Sequence, residues 1–185
     1  MKSLTSLLAL VVAASVAPCQ ESAPHPPPPS TVSFSATIAA RDEPGTPLII
    51  TGRVFHSDKK TLYAGLILYF YQTDESGVYN KTDGSFLRPR LHGWVKTDKD
   101  GRYELRTIKP GSYPRRNESA HIHVTTKGSG TSARWLDEIL FEGDPNLSDA
   151  ERRKMDEMGR FSPVVRLSKD GNGVLHAVRD IILHP

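Results

Sequence analysis

The sequence predicts an all-β fold: an antiparallel β-sandwich with one short surface helix near 149–158. Three observations lead there. Short runs rich in Val, Ile, Leu, Tyr and Phe recur along the chain, each bounded by Gly, Pro, Asp or Asn. One stretch alone carries helix start and stop signals, and it is mostly charged. No internal repeat divides the chain, so the strands are expected to share one core.

Taken in order, the first segment is not part of that fold. Met1-Lys2-Ser3 is a short basic start, and Leu4 to Ala17 is apolar and rich in small residues. That run is too short for a stable bilayer span and suits a signal peptide over 1–19. Val16-Ala17-Pro18-Cys19 resembles a bacterial lipobox, in which Cys19 would be lipidated and tether the protein to a membrane. Pro18 stands where that pattern has a small residue. Residues 20–30 include Pro24-His25-Pro26-Pro27-Pro28-Pro29-Ser30, which reads as a stiff polyproline II linker. The expected location is outside a bacterial cytoplasm: periplasmic, secreted, or lipid-anchored at the outer face. The sandwich is expected over 31–185, a length that supports one domain.

Within it, Leu48–Val54 is the first expected strand, after Pro44-Gly45-Thr46-Pro47. Leu62–Gln72 is the second and most apolar. Gly93–Thr97 and Arg102–Thr107 flank Asp98-Lys99-Asp100-Gly101, a hairpin signal with Asp-Gly at the turn. Ala120–Thr126, Arg134–Phe141 and Val174–Leu183 complete the set, with Lys169-Asp170-Gly171-Asn172-Gly173 as a further turn. For the helix, Ser148 and Glu151 form a capping box and Gly159 ends it. Trp94, Trp135, Tyr63 and Tyr69 are expected in the core.

Composition removes several functions. Cys19 is the only cysteine, which excludes an intrachain disulfide and a cysteine zinc site. The net charge is +3, but the basic residues are scattered, without an aromatic-basic stripe, so no nucleic-acid partner is expected.

The chemistry sits in Tyr113-Pro114-Arg115-Arg116-Asn117-Glu118-Ser119-Ala120-His121-Ile122-His123 and in the upstream Tyr79. A strand alternates its side chains, so His121 and His123 share one face while Ile122 points into a core. Tyr79 and Tyr113 lie on loops beside Gly and Pro, where site residues over a rigid sheet are found. Each of the four alone has an ordinary structural explanation. Together they are candidate metal ligands: neutral imidazole suits iron, zinc and copper. A phenol with a pKa near 10 yields its proton only to a strongly acidic cation such as ferric iron.

At these residues the chain resembles the intradiol ring-cleavage dioxygenases, the family of protocatechuate and catechol dioxygenases. The likeness runs from Gly52-Arg53-Val54 through Tyr71-Gln72-Thr73-Asp74-Glu75-Ser76-Gly77-Val78-Tyr79, Thr97-Asp98-Lys99-Asp100-Gly101-Arg102-Tyr103 and Pro110-Gly111-Ser112-Tyr113-Pro114 to Ala120-His121-Ile122-His123 and Phe141-Glu142-Gly143-Asp144-Pro145. It covers about residues 50 to 183. The resemblance implies a β-sandwich with a non-haem Fe(III) site. Tyr79 and His123 would be the equatorial ligands, and Tyr113 and His121 the axial ones. A catechol-type aromatic diol and O2 would be the substrates and a cis,cis-muconate-type diacid the product, with Tyr113 taking a substrate proton. The family often oligomerises. Three positions depart from its usual pattern: Tyr71 replaces Trp, Glu118 replaces an Arg, and Glu138 replaces a Gln. Arg115 and Arg116 are the candidates to restore the positive charge, and Glu138 would disfavour a carboxylated diol.

Two alternatives stay open on the residues: a transthyretin-like binding sandwich, and a ferric protein that binds diols without cleaving them.

Overall fold

A computed structural model describes residues 26–80, 89–127 and 134–183. The expected signal peptide, Cys19 and residues 20–25 of the linker lie outside the described residues. In chain order the elements are β1 (Ser35–Thr37), β2 (Pro47–His56), β3 (Ile67–Gln72), β4 (Leu91–Lys96), β5 (Arg102–Ile108), β6 (His121–Lys127), β7 (Arg134–Trp135) and β8 (Ile139–Phe141). Then follow α1 (Asp149–Met158), a 3-10 turn at Gly159–Phe161, β9 (Val164–Val165), β10 (Ser168–Lys169), β11 (Leu175–Val178) and β12 (Ile181–Leu183).

The strands form two six-stranded sheets: one in the order β1-β5-β2-β11-β10 with β12 also on β2, the other β4-β3-β6-β8-β9 with β7 on β6. Antiparallel pairs β2–β5, β3–β4 and β3–β6 make the body of the sandwich. Parallel pairs are added around it: β1–β5, β11–β2, β12–β2 and β8–β9. Alternation places the core. Leu48, Ile50 and Val54 of β2 and Leu105 of β5 meet Leu68 and Phe70 of β3 and Ile122 and Val124 of β6, all fully buried. The other face of β6 is thereby left for His121 and His123.

Several expected elements change on folding. The Asp98–Gly101 turn forms, with Gly101 at φ 66° and the Asp98 carboxylate accepting from the Asp100 and Arg102 amides. It does not close a hairpin: β4 joins one sheet and β5 the other. The Gly101 carbonyl accepts from Val54 N at 2.9 Å, which directs β5 onto β2 instead. The second turn does close one, between β10 and β11.

Leu62–Gln72 is shortened to β3, with Leu62 held only in an isolated bridge to Phe55. Val174–Leu183 divides into β11 and β12, which keep one register along β2. At the break, Arg179 N donates to Thr51 O at 2.8 Å and the Asp180 carboxylate accepts from Arg53 N at 2.8 Å. Gly52 is required there, because a Cβ would lie 1.9 Å from the Arg179 carbonyl oxygen. Arg134–Phe141 divides into β7 and β8, and Trp135 is 46% exposed rather than core. Trp94 and Tyr69 are buried as expected.

The helix spans Asp149–Met158, with both capping-box bonds between Ser148 and Glu151 and Gly159 at its end. The short strands β1, β9 and β10 carry no periodic signal of their own.

Candidate metal centre

Two loops carry the tyrosines, and they are fastened to each other. After β3, Asp74 Oδ1 accepts from Ser76 N (2.9 Å), Ser76 Oγ (2.7 Å) and Val78 N (3.2 Å), folding the chain into a tight turn that ends at Tyr79. After β5, Gly111 N donates to Asp74 O at 2.8 Å and Thr73 Oγ1 donates to Gly111 O at 2.8 Å. The buried Gln72 amide adds a bond to Ile108 O at 3.0 Å and accepts from Thr107 Oγ1 at 2.9 Å. In the sequence Asp74 stands out only as part of a motif; its position two residues before Ser76, ahead of Gly77, is the local turn signal that marks this role.

The four expected side chains meet. The Tyr79 and Tyr113 hydroxyls are in hydrogen-bond contact. Tyr79 OH lies 2.8 Å from His123 Nε2, and Tyr113 OH lies 3.3 Å from His123 Nε2 and 3.2 Å from His121 Nε2. The two Nε2 atoms are 3.2 Å apart. His121 Nδ1–H donates to Ser119 O at 2.7 Å, so its Nε2 turns a lone pair into the cluster. Upstream, the Asp144 carboxylate accepts from Ala120 N at 3.0 Å and anchors the start of β6.

His123 Nδ1 lies 2.7 Å from Glu138 Oε1, off the line of the ring N–H, a close polar contact rather than an aligned hydrogen bond. The ligand atoms of His121, His123 and Glu138 all lie within 4.8 Å of one another. Burial works to raise the Glu138 carboxyl, but the His123 contact and the nearby His121 outweigh it and hold the carboxyl below its ordinary range. Tyr71, opposite His123 in the β3–β6 register, stacks on it with centroids 4.4 Å apart. Trp135 stands edge-on to the same imidazole.

Burial raises both phenol pKa values, that of Tyr79 above the ordinary tyrosine range. Without a metal, the phenol protons are shared with the Nε2 lone pairs. Two imidazoles and two phenols can instead release those protons and enclose a hard, strongly acidic cation, which would also relieve the repulsion between lone pairs 3.2 Å apart.

The remaining candidates are placed differently. The Arg116 guanidinium lies 5.7 Å from the Tyr113 ring centroid and 3.4 Å from Glu118 Oε1. Positive charge is therefore kept beside Tyr113 from a different sequence position. Arg115 is exposed with φ 66°, and no contact found among the described residues joins it to the cluster. A separate hollow of about 650 Å³ beside β11 is lined by Arg160, Arg166 and His176. Each of these already has a carboxylate partner, Asp180, Glu142 and Asp170 in turn.

Comparison with known proteins gives the family and the fold. A family model described as "Dioxygenase" matches residues 30–152. The chain is 32% identical over 153 residues to a protocatechuate 3,4-dioxygenase beta chain of Burkholderia cepacia, covering 75% of this chain and 65% of that one. It is 33% identical over 127 residues to catechol 1,2-dioxygenase 1 of Acinetobacter lwoffii, covering 58% and 40%. The match thus spans less than two thirds of either relative. Among solved structures, the dioxygenase domain of a dioxygenase–carbohydrate-binding fusion from Streptomyces sp. SirexAA-E superposes with a TM-score of 0.64 at 26% identity, covering 89% of this chain and 96% of that one. Catechol 1,2-dioxygenase from Pseudomonas arvilla C-1 gives 0.63 at 19% identity over 88% and 61%, a likeness of fold.

Proposed function

The chain belongs to the intradiol ring-cleavage dioxygenase family, and from that premise we propose that it uses O2 to open a catechol-type aromatic diol between its two hydroxyl-bearing carbons, giving a cis,cis-muconate-type diacid. The cofactor in this reading is non-haem Fe(III), held by Tyr79, Tyr113, His121 and His123. The observation that carries the reading is the approach of His121 Nε2 and His123 Nε2 to 3.2 Å with both tyrosine hydroxyls against them.

Bound ferric iron would supply a Lewis acid that draws electron density from the diol and makes its ring reactive toward O2. The chain supplies the rest. Tyr113 Oη is the base that receives a hydroxyl proton from the incoming diol, since burial gives this phenol a high proton affinity. Its looser contacts, 3.2 and 3.3 Å against 2.8 Å for Tyr79, suit the tyrosine that changes partner. Tyr79 and His123 would complete the hold on the cation, with Tyr71 stacked against His123 to fix its ring plane. Arg116 beside Tyr113 would favour the ionised forms of phenol and diol. Export, with processing near Cys19, completes the proposal.

The test is the visible spectrum of the ferric-loaded chain before and after catechol in air. A broad tyrosinate-to-iron absorption should shift on adding the diol and decay as a muconate band rises in the ultraviolet. A coloured complex that persists would mean diol binding without cleavage. A colourless protein that retains no iron would leave only a binding sandwich.

A further inference from the structure

We propose that Trp135 forms, beside the four-donor cluster, a subsite for an uncharged aromatic ring carried by the diol, so that aryl-substituted catechols are preferred over catechol and over its carboxylic acids. This inference rests on reading the cluster as the diol site.

Register places the indole. On β6, His121, His123 and Thr125 share one face, and β7 sets Trp135 directly opposite Thr125. The indole therefore lies on the same side of the sheet as the two imidazoles. Its centroid is 5.8 Å from that of His123 and 6.2 Å from that of Tyr71, both edge-on. Those contacts leave much of the ring open, and Trp135 is 46% exposed. A tryptophan is a large apolar surface to leave in water, and an exposed one rigidly held at a site edge is a stacking platform. Of the four exposed large hydrophobic side chains among the described residues, Trp135 touches the cluster and Val78 adjoins Tyr79, while Phe34 and Val178 line a separate hollow beside β2.

Charge chooses between substituents. Three residues beyond Trp135, on the same connection, the Glu138 carboxylate stands 2.7 Å from His123 and keeps its side chain 40% exposed. An acidic arm on the diol would meet that carboxylate; a phenyl arm meets the indole.

The experiment is an anaerobic titration of the full-length ferric-loaded protein, followed by visible absorption, with catechol, 4-phenylcatechol and 3,4-dihydroxybenzoate. The phenyl diol should bind about tenfold more tightly than catechol, and the carboxylated diol more weakly than either. Trp135→Ala should bring the phenyl-to-catechol affinity ratio to about one, while Trp135→Phe retains most of it. A wild-type ratio near one, or a ratio that survives Trp135→Ala, overturns the subsite and leaves the diol site standing. A spectrum that answers to none of the three diols overturns both readings.

Discussion

Gly77 and Ser112 pack so closely that a Cβ on the glycine would lie 1.9 Å from the serine carbonyl oxygen. The same is true a few residues away, where a Cβ on Gly111 would meet Glu75 O at 2.3 Å. The Tyr79 and Tyr113 loops are thus joined backbone to backbone, and the two phenols meet because the loops cannot separate without losing that fit.

Gly77→Ala is expected to break this joint. The position also has φ 81°, which an L side chain adopts at a cost. Together these should lower stability by about 2 kcal/mol or more, read as a fall in unfolding midpoint, with loss of bound ferric iron at equal protein concentration. An unchanged midpoint with full iron content would show that the loops are held by other means.

Tyr113→Phe separates metal binding from proton transfer. Three donors remain, so iron should be retained with a weakened and shifted visible band, while kcat falls by roughly a hundredfold or more. Tyr79→Phe should lower iron affinity further, because Tyr79 makes the tighter contact with His123. Equal turnover in Tyr113→Phe and the parent would remove the base role.

Glu138→Gln should relax the discrimination against acidic diols. Removing the carboxylate beside His123 is expected to improve binding of 3,4-dihydroxybenzoate relative to catechol by about tenfold, roughly 1.4 kcal/mol. Competitive titration on the ferric protein measures it. An unchanged ratio would mean that the substituent never approaches Glu138.

Glu43 and Arg90 brace the Tyr79 loop from outside. Arg90 binds both oxygens of Glu43, and its backbone N–H donates to Tyr79 O at 3.2 Å. The hydrogen bonds from Arg90 hold the Glu43 carboxyl below its usual 4.5. A carboxyl depressed in the folded state contributes stability that is present above the unfolded value and lost as pH falls through the folded one. Thermal midpoints should therefore drop as pH goes below 4.5, and Glu43→Gln should flatten that part of the curve. A variant with the same acid limb as the parent would show that the pair contributes nothing to it.

Whatever depends on neighbours a few residues apart is legible in the chain. Strand alternation was enough to put His121 and His123 on one face and Ile122 in the core. The Ser148–Glu151 capping box and the Gly159 stop fixed the helix to the residue. The turn expected over Lys169–Gly173 formed, and it closes β10 onto β11. The motif pattern around Tyr79, Tyr113 and the histidines named the family.

What depends on long-range partners emerges on folding. The Asp98–Gly101 turn has the same local chemistry as a hairpin turn, yet its strands part because Val54 takes the Gly101 carbonyl. The strands β1, β9 and β10 exist only as additions to longer neighbours. Composition suggests a buried Trp135, but the chain breaks between β7 and β8 and leaves the indole open beside His123. Arg115 and Arg116 are equivalent in the sequence, and only the turn at φ 66° sets Arg116 over Tyr113. In each case the deciding term is a contact between residues far apart in the chain, and local propensity carries no record of it.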